Sequence, residues 1–208
     1  MSQSAGTCMS AECECRELEH KPKFIVLTGG PGAGKTAALE MCRTEFADRL
    51  VIVPESATLL YSGGFPRYAQ PKGVKIAQES IYLIQKALEK AQRTHYPRLS
   101  LLCDRGTVDG AVYWPRGSKE FFKAMKTTEK KEFSRYDLVL FLESAASHGD
   151  CIRSGNHYRT ESPEQAAVLD QKLKLLWSKH PHFQFIARQE TLQEKIKIVR
   201  TTLQTVLK

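Results

Sequence analysis

The chain has 208 residues, of which 41% are hydrophobic, a length and composition that fit one globular domain with a sizeable core. Its formal charge is +8, which favours partners that carry phosphate. No apolar run reaches the roughly 18 residues that a membrane helix needs, and the first 20 residues lack the features of a secretion signal. We therefore expect a cytoplasmic protein without a transmembrane segment.

The six cysteines are spread along the chain, which does not indicate the disulfide framework of a small secreted protein. Cys8, Cys13 and Cys15 lie in the polar stretch 1–22, where they offer three thiolates to a metal but no fourth ligand nearby. Metal binding and lipidation at these thiols stay open. We expect 1–22 to be a disordered tail and 23–208 to form the domain.

Short apolar runs alternate with longer stretches of helical periodicity, the pattern of a parallel β-sheet with crossover helices. The sequence therefore predicts an α/β fold with five strands, all parallel. The predicted strands cover 23–28, 49–54, 99–104, 137–143 and 183–188.

Three helices are predicted between the first four strands, over 35–48, 74–93 and 118–128. In the second helix an apolar stripe is expected to face the core, and it consists of Ile76, Ala77, Ile81, Ile84, Leu88 and Ala91. Two stretches, 62–73 and 144–161, fit neither helix nor strand, and we expect both to be loops of the functional site.

Capping boxes predict the starts of the last two helices. Ser162 and Gln165 form the first box, and Thr191 and Glu194 form the second. The first of these helices should end before Pro181, and the second should dock on the sheet.

The stretch 28–37 reads TGGPGAGKTA and contains the pattern G-x-x-x-x-G-K-[ST] between a predicted strand and a predicted helix. Glycines let backbone N–H groups converge on one anion, and the helix N-terminus adds partial positive charge. Lys35 reaches the β- and γ-phosphates, and the Thr36 hydroxyl suits Mg²⁺. The stretch therefore predicts a nucleoside triphosphate site, with nucleotide contacts from Gly30, Pro31, Gly32, Ala33, Gly34, Lys35, Thr36 and Ala37.

Two carboxylates follow predicted strands, whose carboxyl ends meet at the edge that carries the phosphate loop. Asp104 ends the apolar run LSLLCD and is predicted to hold the metal, the alternative being a residue that caps a turn. Glu55 follows the second strand, where it either orients or deprotonates an acceptor hydroxyl or caps a turn. Arg105 either grips a substrate or neutralises its neighbours.

Several polar and aromatic residues are weaker candidates. Arg153 and Arg159 lie in the loop 144–161, which is either a lid over transferring phosphates or a mobile basic surface loop. Gln78 and Gln85 share a helix face that is either directed at a polar ligand or solvated. Arg67 is a further candidate, whereas Tyr113 and Trp114 are more typical of packing than of base stacking.

Four stretches carry a resemblance to a known family, in the order LTGGPGAGKTAALE, VPESATLLYSGGFPR, CDRGTVDGAVYWP and GNHYRTESPEQA. With them the chain resembles the AAA-like P-loop domain family that includes the fly TRPL-translocation-defect proteins. More remotely it resembles deoxynucleoside and ribosylnicotinamide kinases. The resemblance spans roughly residues 23–207.

This resemblance implies a sheet of order 2-3-1-4-5, a nucleotide at the phosphate loop and a lid that contains NHYR. It adds Asp109 to the predicted catalytic residues, beside Lys35, Glu55, Asp104, Arg105, Arg153 and Arg159. Likeness to deoxynucleoside kinases implies that Glu55 is the base, although those enzymes have Glu-Pro where this chain has Pro54 followed by Glu55.

Two functions from different classes are compatible with these residues. The first is an ATP-dependent phosphotransferase that uses Mg²⁺ and acts on a small-molecule acceptor. The alternative is a nucleotide-switched binding protein that presents its basic C-terminal region to a partner or to anionic lipid. ATP is favoured over GTP because the guanine-reading Asn-Lys-x-Asp string is absent, and nucleic acid is disfavoured because aromatics are not interleaved with the basic residues. The oligomeric state and the acceptor stay open.

Overall fold

The computed structural model of the chain describes residues 21–145 and 162–208. The stretches 1–20 and 146–161 lie outside these residues, and with them the predictions for the tail, its cysteines, Arg153 and Arg159.

Each of the five strands is four or five residues long and lies within the apolar run that predicted it. The strands are β1 (Phe24–Thr28), β2 (Leu50–Val53), β3 (Ser100–Asp104), β4 (Leu138–Leu142) and β5 (Phe183–Ile186). They pair in parallel to form one sheet in the order β2-β3-β1-β4-β5, which confirms the predicted order.

Helices cover both faces of the sheet, giving three layers. Alternate strand residues point to opposite faces, so Ile25 and Leu27 join one apolar cluster and Val26 joins the other. Within the described residues the helices are α1 (Lys35–Glu45), α2 (Ser56–Ser62), α3 (Pro71–His95), α4 (Gly110–Tyr113), α5 (Ser118–Ala124), α6 (Glu129–Phe133), α7 (Pro163–Trp177) and α8 (Leu192–Val206). The first cluster packs under α1 and α8, and the second under α4, α5 and α7.

Both predicted capping boxes are present. The Ser162 hydroxyl accepts from the Gln165 backbone N–H and the Gln165 side chain accepts from the Ser162 N–H. Thr191 and Glu194 make the same reciprocal pair at α8. These bonds satisfy N–H groups that have no partner inside a helix, which is why both helices begin where the sequence indicated.

The predicted helix over 118–128 is present but shorter, because α5 begins at Ser118 and ends at Ala124. Lys126 has a φ of 51°, a left-handed conformation that ends helical geometry after α5. Thr128 then caps α6 by accepting a hydrogen bond from the Lys131 N–H. The predicted loop 62–73 is also shorter, since α3 begins at Pro71, a residue favoured in the first helical turn.

The predicted apolar stripe of α3 is only partly correct. Ile76 is 49% exposed and Ala91 is also exposed. The buried face instead combines Ala77 with polar side chains, namely Gln78, Tyr82, Gln85 and Glu89. The solvated alternative for Gln78 and Gln85 is therefore wrong, because these side chains are only 8% and 2% exposed.

Candidate active site

The carboxyl edge of the sheet brings the predicted site residues together. The phosphate loop, residues 29–36, follows β1, Glu55 follows β2, and Asp104 with Arg105 lies at the end of β3. Parallel strands bring these ends to one edge although the residues are far apart in the sequence.

Three glycines of the phosphate loop have backbone conformations that side chains disfavour. The φ angle is 141° at Gly29, 75° at Gly32 and 89° at Gly34. A Cβ atom on Gly29 would lie 2.1 Å from the carbonyl oxygen of Leu142. The loop thus needs glycine both for its turn and for its approach to β4.

Lys35 is buried, and its Nζ donates to the carbonyl oxygens of Gly29 at 2.8 Å and Gly30 at 2.9 Å. These bonds hold the ammonium group against its own loop, so a phosphate would compete with two carbonyl oxygens for it. Thr36 lies in the first turn of α1 and is exposed. Its hydroxyl is therefore accessible at the helix N-terminus, where an anion is favoured.

Two charged side chains from distant helices hold the phosphate loop. Asp170 of α7 is buried, and its Oδ1 accepts from the Gly30 N–H at 2.7 Å. Lys195 of α8 donates to the carbonyl oxygens of Ala33 at 3.4 Å and Glu143 at 2.8 Å. Burial lowers the pKa of Lys195, and the Glu143 and Asp170 carboxylates act against that effect. The backbone of the loop is thus tied to α7 and α8.

The sequence reasoning missed Asp170, Lys195 and Ser144, whose hydroxyl donates to the Pro31 carbonyl oxygen. A signal was available for the first two, because each is a charged residue within the apolar register of its helix. The registers are Ala166, Asp170, Leu173 and Trp177 in α7, and Lys195, Val199 and Leu203 in α8.

Arg105 joins two carboxylates beside the phosphate loop. Its Nε donates to Glu55 Oε1 at 2.5 Å, and one terminal nitrogen donates to Asp109 Oδ2 at 3.1 Å and to the Gly29 carbonyl oxygen at 3.4 Å. Arg105 has a φ of 72°, a conformation that is strained for a residue with a side chain. The contacts on either side of it therefore hold the arginine in one position.

Glu55 remains ionised in this environment. Burial alone would raise the pKa of its carboxyl group, but the Arg105 charge and a 2.5 Å hydrogen bond from the Thr58 hydroxyl outweigh that effect. With a further contribution from Lys35, the pKa falls to about 2. Glu55 is consequently a carboxylate at neutral pH.

Asp109 links several elements rather than facing solvent. Its carboxylate accepts from the Thr28 hydroxyl at 2.7 Å, from the Trp177 Nε1 at 2.8 Å and from Arg105. These bonds connect β1, α7 and the segment after β3. The chemistry of this residue is therefore that of a group that positions Arg105.

Asp104 pairs in register with Leu27, the residue before the last one of β1, and its Oδ1 is buried. A carboxylate at this position and the Thr36 hydroxyl at the start of α1 are both hard oxygen donors. Such donors are the ones that Mg²⁺ prefers. The donor chemistry of the edge thus fits the predicted ion.

A cavity of about 350 Å³ lies between α2, α3 and α4 and reaches the phosphate loop at Pro31. Glu55, Arg105 and Asp109 line it. Arg67 also lines it and stacks on the Tyr61 ring with 4.0 Å between its Cζ and the ring centroid. Tyr113 belongs to the same wall, whereas Trp114 is packed in the core. The cavity thus joins the predicted acceptor residues to the nucleotide loop.

A family model described as an AAA domain matches residues 24–195. The chain belongs to this AAA-like P-loop NTPase domain family. Membership indicates nucleotide binding, in agreement with the phosphate loop and the sheet order. The narrower likeness to the fly proteins stays a prediction. A search of curated proteins finds no match.

Across residues 21–145 and 162–208, the helices are all too short or too polar to cross a membrane.

Proposed function

We propose that the protein is an ATP-dependent phosphotransferase that transfers the γ-phosphoryl group to a hydroxyl of a small-molecule acceptor. The observation that carries this proposal is the 350 Å³ cavity, which shares Pro31 with the phosphate loop and Glu55 with the charged cluster. Hydrolysis alone requires space for one water molecule, whereas this cavity has the volume of a small-molecule site. A second site of this size beside a nucleotide loop supports transfer to an acceptor.

The nucleotide side of the reaction uses the phosphate loop. Lys35 would leave the Gly29 and Gly30 carbonyl oxygens and neutralise the β- and γ-phosphates. Thr36 and Asp104 would hold Mg²⁺, which when bound polarises the phosphate oxygens. Backbone N–H groups of residues 32–37 would cradle the remaining charge.

On the acceptor side, the hydroxyl oxygen would form a bond to the γ-phosphorus as the bond from that phosphorus to the β–γ bridging oxygen breaks. ADP leaves, and the hydroxyl proton passes to Glu55 or to solvent. A carboxylate with a pKa of about 2 is a weak base, so Glu55 acts mainly by orienting the hydroxyl. A weak base suffices because the transition state of phosphoryl transfer is loose.

Four further residues complete the proposed machinery. Arg105 would stabilise charge that develops on the transferring group, and Asp109 would hold Arg105 in position. Arg153 and Arg159, which lie outside the described residues, would act from a lid that excludes water. We infer a cytoplasmic enzyme, consistent with the free thiols of buried Cys42 and Cys103.

ADP release in the presence of candidate acceptors tests this function. Purified protein with ATP or GTP and Mg²⁺ should form ADP or GDP faster when a suitable acceptor from a metabolite library is present. Lys35→Ala should abolish the stimulated rate. If nucleotide binds but no acceptor stimulates turnover, the phosphotransferase proposal fails.

A second candidate is a nucleotide-switched binding protein, and one observation favours it. The phosphate loop is bonded to Asp170 of α7 and Lys195 of α8, and both residues belong to the region 168–208, where eight basic residues stand against three acidic ones. A γ-phosphate that moves the loop would therefore act on a basic surface. Sedimentation with anionic liposomes should then differ between triphosphate and diphosphate, and equal binding in both states excludes the switch.

A further inference from the structure

One side chain in the cavity is more constrained than its neighbours. Gln85 of α3 is 2% exposed, and its Nε2 donates to Glu89 Oε1 at 3.1 Å and to the Arg105 carbonyl oxygen at 3.3 Å. Both partners are acceptors, so only the amide nitrogen fits this side of the group. The orientation of the amide group is thereby set, and Oε1 lies on the side of the group opposite to Nε2.

Gln85 cannot easily turn away, because Glu89 is itself fixed. The Glu89 carboxylate forms an ion pair with Arg135 and accepts a hydrogen bond from the Tyr136 hydroxyl at 2.9 Å. Burial raises the pKa of Glu89, and Arg135 opposes that effect. Either protonation state of Glu89 leaves an oxygen that accepts the Gln85 N–H.

The amide oxygen of Gln85 is a buried acceptor that no group within residues 21–145 and 162–208 satisfies. Buried acceptors of this kind are rare in folded proteins, and each one calls for an explanation such as a ligand. Gln85 lines the 350 Å³ cavity, so a molecule in that cavity is the partner that the position offers.

The charges of the cavity wall limit the kind of molecule. Among the described lining residues two carboxylates, Glu55 and Asp109, stand against two guanidinium groups, Arg67 and Arg105. Arg105 is already paired with both carboxylates. The described wall therefore has no surplus positive charge to offset a phosphate group.

The remaining wall suits a flat ring. Four tyrosines line the cavity together with Val74 and Ile81, and they are Tyr61, Tyr68, Tyr82 and Tyr113. Aromatic side chains of this kind pack against planar ligands through their faces and edges. Gln78, on the same buried face of α3 as Gln85, adds a second uncharged polar group.

We propose that the acceptor is an uncharged ring compound that bears a hydroxyl group and donates a ring N–H hydrogen bond to Gln85 Oε1. Gln85 is thus a specificity-determining residue, and an acceptor that already carries phosphate is excluded. This inference rests on the proposed function where it identifies the ligand as the acceptor, but binding of that ligand does not depend on transfer.

Binding to the Lys35→Ala variant tests the proposal, because the nucleotide loop is disabled there and affinity reports the cavity. The probes are nucleosides, aryl glycosides and hydroxylated pyridines, each with its monophosphate and, where a ring N–H exists, its N-methyl form. Calorimetry should detect binding of at least one uncharged probe. Its monophosphate and its N-methyl form should each bind about tenfold more weakly or worse.

Gln85→Met removes the amide oxygen at nearly constant side-chain size. It should weaken binding of the uncharged probe by a similar factor. Gln184→Met is the matched control, since Gln184 lies on β5 and bonds to Thr202 away from the cavity. If Gln85→Met fails to fold, the N-methyl comparison tests the same bond on the unaltered side chain.

Equal or tighter binding of the monophosphates, indifference to N-methylation, or no binding of any uncharged probe would each overturn the proposal. Failure of the inference and failure of the proposed function give different results. Uncharged probes that bind through Gln85 without ever stimulating ADP release leave the inference standing and remove the phosphotransferase. Efficient transfer to a phosphorylated acceptor would support the phosphotransferase and overturn the inference.

Discussion

At the residue scale, the pair of Glu55 and Arg105 sets much of the charge distribution in the cavity. The arginine keeps the glutamate ionised, and the glutamate and Asp109 together hold the arginine in a strained backbone conformation. A pair that neutralises itself adds little net charge to the cavity, but it fixes two hydrogen-bonding groups in place before a ligand arrives. Preorganisation of this kind is what catalysis of phosphoryl transfer needs.

Replacement of Glu55 by Gln should reduce stability in a pH-dependent way. The folded pKa of about 2 lies below the ordinary value of 4.5, so ionised Glu55 stabilises the fold fully above pH 4.5 and loses this effect as the pH falls toward 2. The difference in free energy of unfolding between wild type and Glu55→Gln should be at most roughly 3 kcal/mol above that range and shrink within it. Urea denaturation over a pH series measures it, and a difference that does not vary with pH contradicts the prediction.

Asp170 should control nucleotide affinity without touching the nucleotide. Asp170→Ala removes the acceptor of the buried Gly30 N–H, and we expect ATP affinity to fall by about tenfold, since bonds to charged groups contribute about 1.5 kcal/mol or more. Asp170→Asn keeps an acceptor oxygen and should lose less. Calorimetry with ATP and Mg²⁺ measures both.

Asp137 provides the matched control for Asp170. It accepts a hydrogen bond of the same 2.7 Å length from the Phe24 N–H at the opposite end of β1. Asp137→Ala should therefore lower stability but leave the ATP dissociation constant unchanged. Equal losses of affinity in the two alanine variants would show that the effect of Asp170 is a general one on the sheet.

At the scale of elements, α3 is unusual because much of its buried face is polar. Tyr82 donates a hydrogen bond to Glu132, and Arg135 forms ion pairs with both Glu89 and Glu132. These contacts join α3 to α6 and the residues that follow it. Opposing effects set the pKa of Glu132, which burial would raise but hydrogen bonds from Arg135 and three hydroxyl groups lower. This network supports the wall of the cavity from behind.

Arg135→Met should be strongly destabilising. The substitution leaves the buried Glu89 and Glu132 carboxylates without their counter-charge, which costs about 3 kcal/mol or more at neutral pH. Loss of Arg135 also removes an effect that lowers the pKa of Glu89, so protonation in mild acid should recover part of the stability. Urea denaturation at neutral and mildly acidic pH measures this.

Arg49→Met is the control for that experiment, because the ion pair that Arg49 forms with Asp48 is exposed. Its effect should stay within about 0.5 kcal/mol at both pH values. If Arg135→Met lost as little free energy of unfolding as Arg49→Met, the buried network would contribute little to stability.

At the scale of the whole molecule, the parallel sheet assembles one site from segments that are distant in the chain. The phosphate loop follows the central strand, and its neighbours β3 and β4 supply Arg105 and Ser144 on either side. A ligand bound at this edge touches several strands at once and should stabilise the fold as a unit.

ATP with Mg²⁺ should therefore raise the melting temperature. At a ligand concentration one hundred times the dissociation constant, the stabilisation is about 2.7 kcal/mol. Lys35→Ala should abolish the shift. Lys179→Ala, which removes an exposed pair with Glu129, should preserve it. Thermal shift measurements with ATP, GTP and their diphosphates give the result, and a shift that survives loss of Lys35 would place the nucleotide elsewhere.

The sequence by itself determined the strands, the capped helices and the phosphate loop, because each depends on local patterns of apolar residues, glycine and hydrogen-bonding side chains. It also indicated Glu55, Asp104 and Arg105, since strand ends of a parallel sheet share an edge. Only the tertiary structure decided which charged residues turn inward. Asp170, Lys195 and Glu89 lie in apolar registers, and partners from distant segments complete their hydrogen bonds in the interior. Local periodicity contains no information about such partners, which is why it misplaced the buried face of α3 and missed the anchors of the loop.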